Sequence, residues 1–350
     1  MSFSGGHLLK WALAIATYNR PDSLKKCLQF ALKQSRTPDE IVIVDASNDW
    51  EISREIAQSI CGPKLLYAPA KERGLTSQRN QIIKLSTSDI LFLIDDDSFM
   101  HARCAEEIMK VYEADVKGCV AGVGAVLSSA PPGSTFSRNI QPAPRMPLVK
   151  RIAESFNKKF ERELYAEKML LPYDETYPDH PIPIELSHLN IGSARYFDGF
   201  RMTFRRDVIC QVGFDETLKR YASAEDMDAS YRASRHGVLL NAYDALIFHD
   251  KSPQERLSRH TRELLGYLNL AYLYRRNGYD PGRIIGSYRW RLLRRMAINT
   301  LRDVSKKRTS LPCARATFQA LMLLSNILNS EDIENWYSNL QEQIILRNAP

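Results

Sequence analysis

The chain has 350 residues, 44% of them hydrophobic, which suffices for a sizeable core and excludes disorder as the default reading. Its six cysteines form no CxxC pair and no repeated spacing, so neither a zinc site nor a disulfide framework is indicated, and a reducing cytoplasm fits best. The net charge of +7 is uneven: residues 1–250 hold 31 basic and 33 acidic side chains, residues 251–350 hold 17 and 8.

Residues 8–16 are fairly apolar and Ala14-Ile15-Ala16 resembles a signal-peptidase site, but no basic stretch precedes them and Lys10 interrupts the run. No later run approaches the ~20 apolar residues of a spanning helix, so the expectation is a protein neither exported nor integral to a membrane. Short apolar runs at 12–16, 41–44, 65–68, 90–94 and 120–127 read as strands. Between them, 21–34, 51–60, 76–85 and 102–114 carry helical periodicity; Pro21 occupies a tolerated first turn, with Leu24, Leu28 and Ala31 on one face. This alternation predicts an α/β fold, a Rossmann-like, mainly parallel sheet covered by helices on both faces.

Nine of the seventeen prolines fall between Pro131 and Pro183, marking an insertion at about 130–183. Within it Leu148, Ile152, Phe156, Phe160 and Leu164 predict one amphipathic helix. Core-like sequence resumes at Ile184 and passes through 207–212, 223–236 and 238–249. Residues 1–254 are therefore assigned to one main domain and 255–350 to a basic, helical C-terminal appendage. In the latter, Arg283, Arg289, Arg291, Arg294, Arg295, Arg302, Lys306, Lys307 and Arg308 oppose only Asp303, a density that suits an anionic surface.

The chemistry concentrates where strands end. The run 90–94 stops in Asp95-Asp96-Asp97, and open α/β sheets bind ligands beyond the carboxyl ends of their strands. Three adjacent carboxylates repel unless a cation or donors intervene, and their oxygens suit Mg2+ or Mn2+. In an extended backbone Asp95 and Asp97 point to one side; the plainer reading is a solvated acidic turn. A second strand ends in Asp45-Ala46-Ser47-Asn48-Asp49, where Asp45 or Asp49 also reads as a helix cap, and the first ends in Thr17-Tyr18-Asn19-Arg20-Pro21. A dehydrogenase would need GxGxxG at that last place, and a P-loop ATPase needs GxxxxGK[ST], which is absent. A haloacid-dehalogenase-type phosphatase would carry its nucleophilic aspartate on the first strand.

Taken in order over about residues 10–250, these motifs, together with Arg73-Gly74-Leu75, Arg79-Asn80, Phe204-Arg205-Arg206, Gly213-Phe214-Asp215-Glu216, Glu225-Asp226 and Phe248-His249, resemble family-2 glycosyltransferases of bacterial type, with the A-type glycosyltransferase fold. The resemblance implies transfer of a sugar from a nucleotide-diphosphate donor, a UDP-sugar being favoured, to a hydroxyl of a saccharide or lipid-linked saccharide. It implies that Thr17, Tyr18, Asn19, Arg20, Asp45, Arg79, Asp95 and Asp96 hold the nucleotide, and that Asp97 binds Mn2+ or Mg2+. His249 matches a further metal ligand of some members, or equally forms a structural hydrogen bond. The Glu225-Asp226 pair matches the family's acceptor-side acidic motif, which implies that both are catalytic, with Asp226 the general base in an inverting displacement; the bland reading is that both acids favour a helix N-terminus. A competing class, a membrane- or nucleic-acid-binding module, rests on the basic tail. Nucleic acid is disfavoured because the strand ends are acidic and no aromatic platform lies among the basic residues of the main domain. An anionic membrane on the cytoplasmic side remains compatible with the enzyme reading.

Overall fold

A computed structural model describes residues 8–134, 177–219, 222–251, 257–278 and 280–347. The expected strand–helix alternation is present: β1 (Trp11–Thr17), α1 (Pro21–Leu32), β2 (Glu40–Asp45), α2 (Trp50–Cys61), β3 (Leu65–Pro69), α3 (Leu75–Leu85) and β4 (Ile90–Asp95) follow in order. After these come β5 (Ser98–Met100), α4 (Cys104–Ala114), β6 (Val120–Leu127), β7 (Ile191–Ser193), β8 (Met202–Arg205), α5 (Arg206–Val212), α6 (Glu225–Ala233) and β9 (Val238–His249). All nine strands form one sheet in the order β3-β2-β1-β4-β8-β6-β9-β5, with β7 pairing β9.

The longer ladders, β1 with β2 and β4, β2 with β3, and β6 with β9, are parallel. The antiparallel pairings come from short strands that the sequence did not announce: β8 lies between β4 and β6, and β5 and β7 each pair with β9. Continuous apolar runs suit the central strands because both faces are covered. Leu13, Ile15, Ile41, Ile43, Phe92 and Ile94 pack on one face against Leu24 and Leu28 of α1 and Ile108 of α4. Their alternate neighbours Ala14, Val42, Val44, Leu91 and Leu93 pack on the other against Ile82 of α3 and Ala229 of α6. Gly124 in β6 is required by proximity, since a Cβ there would lie 2.6 Å from the Phe197 ring.

The C-terminal region is helical: α7 (Arg259–Arg276), α8 (Pro281–Ser305), α9 (Pro312–Asn329) and α10 (Ile333–Arg347). These helices share an apolar cluster with Leu218, Ala222 and Tyr231 of the sheet-bearing region. Polar ties reinforce it: Tyr272 donates to Asp215 at 2.9 Å, Asn277 to Asp228 at 3.1 Å, and Gln341 to the Thr217 carbonyl at 2.6 Å. The anticipated boundary at 254 and the amphipathic helix anticipated at 148–164 lie outside the described residues. Among the described residues, no helix is long and apolar enough to cross a membrane.

Candidate active site

A cleft of about 600 Å³ lies at the carboxyl ends of β1, β4 and β9 and beside the N-terminus of α6. Asp95 closes β4, and Asp96 and Asp97 turn the chain into β5, where Ser98 pairs with His249 at the end of β9. The Asp250 N–H donates to the Asp97 carbonyl at 2.9 Å, extending that pairing. His249 Nε2 is thereby placed 3.1 Å from Asp97 Oδ1. The Phe200 ring stacks on His249 with centroids 4.5 Å apart. One ligand atom from each of Asp95, Asp97 and His249 lies within 4.8 Å of the others. Two carboxylates and an imidazole fit Mn2+ well, whereas Mg2+ favours an all-oxygen shell. The structure therefore adds Asp95, expected at the ribose, to the two anticipated metal ligands as a candidate.

Asp96 has a different environment. Thr17 Oγ1 donates to it at 2.7 Å and Arg20 at 3.1 Å, so it clasps the turn after β1 to the end of β4. Burial pushes its pKa up to about 7, against the Arg20 charge and the Thr17 hydroxyl, which pull it down. Tyr18 lies at the cleft wall with the Arg73 guanidinium 3.7 Å from its ring centroid. Of the anticipated nucleotide-binding residues, Thr17, Tyr18, Arg20, Arg79, Asp95 and Asp96 line the cleft, but Asn19 and Asp45 do not. The Asn19 N–H donates to Ser47 Oγ at 2.7 Å, and Asp45, 1% exposed, accepts from the Ser47 N–H at 2.7 Å and the Tyr67 hydroxyl at 2.5 Å.

Arg79, on α3 and 2% exposed, joins the two acidic groups. It donates to Glu225 at 2.5 Å, to Asp95 at 3.1 Å and to the Gly199 carbonyl at 2.8 Å. Burial pushes Glu225 up to about 8 despite the adjoining guanidinium, and its buried Oε2 has no hydrogen-bond partner among the described residues. Glu225 is thus placed as a support for Arg79. Asp226, one residue further into α6, is less buried; it accepts from Gly199 N–H and Met227 N–H, each at 2.8 Å. Burial raises its pKa against those two bonds. Ala224, at the left-handed φ of 75°, turns the chain so that both acids open the helix.

Several cleft residues escaped sequence reasoning. Gln78 donates to the carbonyls of Thr17 and Val44, each at 2.9 Å, tying α3 to two strand ends. Gly199 sits where a Cβ would lie 3.1 Å from both Arg79 and Glu225. The Asp198-Gly199 pair carried a turn signal, but nothing local tied it to the acids. Arg262, from α7, also lines the cleft, and no strand-end motif pointed to it.

The family model described as glycosyl transferase family 2 matches residues 12–169. A glucosyl-dolichyl phosphate glucuronosyltransferase of Haloferax volcanii is 28% identical over 110 residues, 30% of this chain and 34% of that protein. The match thus spans about a third of the curated relative's length. Among solved structures, the mannosyltransferase PcManGT from Pyrobaculum calidifontis in complex with GDP-Man and Mn2+ is similar with a TM-score of 0.50 and 14% identity. That likeness covers 97% of this chain and 86% of the other, and concerns the fold.

Proposed function

Because the glycosyl transferase family 2 model matches residues 12–169, we propose that the chain moves a hexosyl or related sugar from a nucleotide-diphosphate donor to an acceptor hydroxyl with inversion, supported by Mn2+ or Mg2+. One observation carries this reading: a single cleft holds Asp95, Asp97 and His249 as a cation-binding set, with Asp226 as a separate carboxylate. When bound there, the cation would neutralise charge on the diphosphate leaving group.

The remaining work belongs to the protein. Asp95, Asp97 and His249 hold their ligand atoms together, and Arg79 fixes Asp95. Asp226 takes the proton of the acceptor hydroxyl as it attacks the anomeric carbon; its two backbone hydrogen bonds fix the carboxylate's orientation. Because attack and departure occur on opposite sides of that carbon, a single displacement inverts it. A UDP-sugar is the proposed donor, with GDP as the comparison, since GDP-Man is the ligand of the Pyrobaculum enzyme. A saccharide or lipid-linked saccharide is the proposed acceptor, in keeping with the name of the Haloferax relative. The cytoplasm is the proposed compartment.

Calorimetric titration of UDP and GDP, with Mn2+ and then with EDTA, tests the donor half. Asp97→Asn is expected to abolish the metal-supported part of nucleotide binding. Asp226→Asn is expected to keep it while slowing transfer by ~100-fold or more. Nucleotide affinity that ignores EDTA would remove the cation, and near-normal transfer by Asp226→Asn would move the base elsewhere.

A further inference from the structure

Helix α8 has three faces. Tyr288, Leu292, Asn299 and Asp303 are buried against the neighbouring helices. Opposite them Trp290, Leu293, Leu301 and Val304 are exposed by 62%, 41%, 68% and 61%. At 100° per residue these four fall within one stripe, joined by exposed Ala297. Water-facing apolar side chains at this spacing are not scattered single exposures, and a contiguous apolar strip on a helix is a mark of an interaction surface.

The neighbours of the strip are basic. Arg291, Arg294, Arg295 and Arg302 lie along one flank, and exposed Lys306 and Lys307 continue past the end of the helix. On α9, Phe318 and Met322 are also exposed, and Phe318 lies across a groove from Met296 and Thr300 of α8. Between the helices, His260, Met296, Thr300 and Phe318 contribute to a groove of about 620 Å³. The first turn of α7 thus presents His260 to this groove and Arg262 to the catalytic cleft.

We infer that the α8–α9 face docks on an anionic lipid bilayer, with the apolar strip in the headgroup–acyl boundary and the basic flank on the lipid phosphates. An in-plane amphipathic helix binds a bilayer through this combination of an apolar face and a cationic one. The charge complementarity is strong, because residues 251–350 carry 17 basic against 8 acidic side chains. A second copy would bring two basic flanks together, and a nucleic acid would set its phosphates against the apolar strip. His260 and Arg262 are two residues apart and project to opposite sides of α7, so that helix stands between the groove and the cleft. Docking itself does not depend on sugar transfer, so it is tested by binding alone.

The test is flotation of the full chain with phosphatidylcholine vesicles and with vesicles that also contain phosphatidylglycerol. Binding to the anionic vesicles is expected, weakening as salt screens charges beyond ~8 Å. Leu301→Asp should reduce it by about tenfold or more. Lys306→Gln with Lys307→Gln should reduce it by roughly fivefold per charge at low salt. Both substitutions are at exposed positions, and each variant must melt like the parent protein. Equal binding to neutral and anionic vesicles, binding to neither, or unchanged binding by Leu301→Asp overturns the inference. So does a dimer in sedimentation equilibrium that Leu301→Asp dissociates.

Discussion

Replacing Arg79 by methionine keeps an unbranched stem while removing its three polar contacts, with Glu225, Asp95 and the Gly199 carbonyl. If Glu225 stayed ionised, a buried charge would be left uncompensated, at a cost of ~3–5 kcal/mol. Burial has already pushed Glu225 up to about 8 with the guanidinium present, so at neutral pH it takes a proton instead. The loss is then limited to hydrogen bonds and the unsatisfied carbonyl, ~1–3 kcal/mol. The sign of the pH dependence follows. A folded pKa above the unfolded value of ~4.3 contributes stability that is full below that value and is lost as pH rises through about 8. Urea unfolding followed by circular dichroism from about pH 5 to about pH 9 should therefore show stability falling across this window in the parent and less so in Glu225→Gln. In Arg79→Met, freed from its partner, Asp95 should also hold a cation less well, weakening metal-supported nucleotide binding. A loss of ~4 kcal/mol or more at neutral pH, restored by adding Glu225→Gln, would show an ionised Glu225 and refute the reasoning.

Asp303 lies at the end of α8 and caps the start of α9, accepting from the Cys313 N–H at 2.8 Å and the Ala314 N–H at 3.2 Å. Burial raises its pKa, but these bonds and Arg308 outweigh it and hold the carboxyl below its ordinary value. That contribution is present above the ordinary carboxylate range and lost as pH falls through the lowered pKa, so acid melts should show Asp303→Asn closing the gap to the parent. At neutral pH the variant should be less stable by ~1–2 kcal/mol in urea titration. Gly124→Ala should cost ~1–3 kcal/mol because the new methyl meets a Phe197 ring at 2.6 Å; adding Phe197→Leu should recover part of the loss, and a tolerated single change would show that the ring moves freely.

What the sequence disclosed follows from the range of the interactions involved. Apolar runs such as 41–44 and 90–94 revealed the central strands because both of their faces are buried. The acids after β4 stood out because a buried strand ended on them. Three- and four-residue strands have no such signature: Ser98–Met100 becomes β5 only because the end of β9 lies beside it. The same holds for β8, whose antiparallel insertion between β4 and β6 is decided by topology. Asp45 and Asn19 drew attention because they end or follow strands; Asp45 lies beside the Thr17 end of β1, its carboxylate taken up by Ser47 and Tyr67. Arg262 was hidden by its distance along the chain, and so was the contact between Arg79 and Glu225, which lie 146 residues apart.

The short ladder between β5 and β9 has a consequence for how a cation would be received. Asp97 and His249 come from distant parts of the chain, yet the pairing of Ser98 with His249 and the Asp250–Asp97 hydrogen bond fix their separation through the backbone. Gathering two carboxylates and an imidazole is therefore accomplished during folding and need not be repeated when an ion arrives. A cation held there would cost these side chains little conformational entropy. The same rigidity narrows the site's tolerance for ionic radius, so a larger ion would have to strain a sheet edge in order to enter.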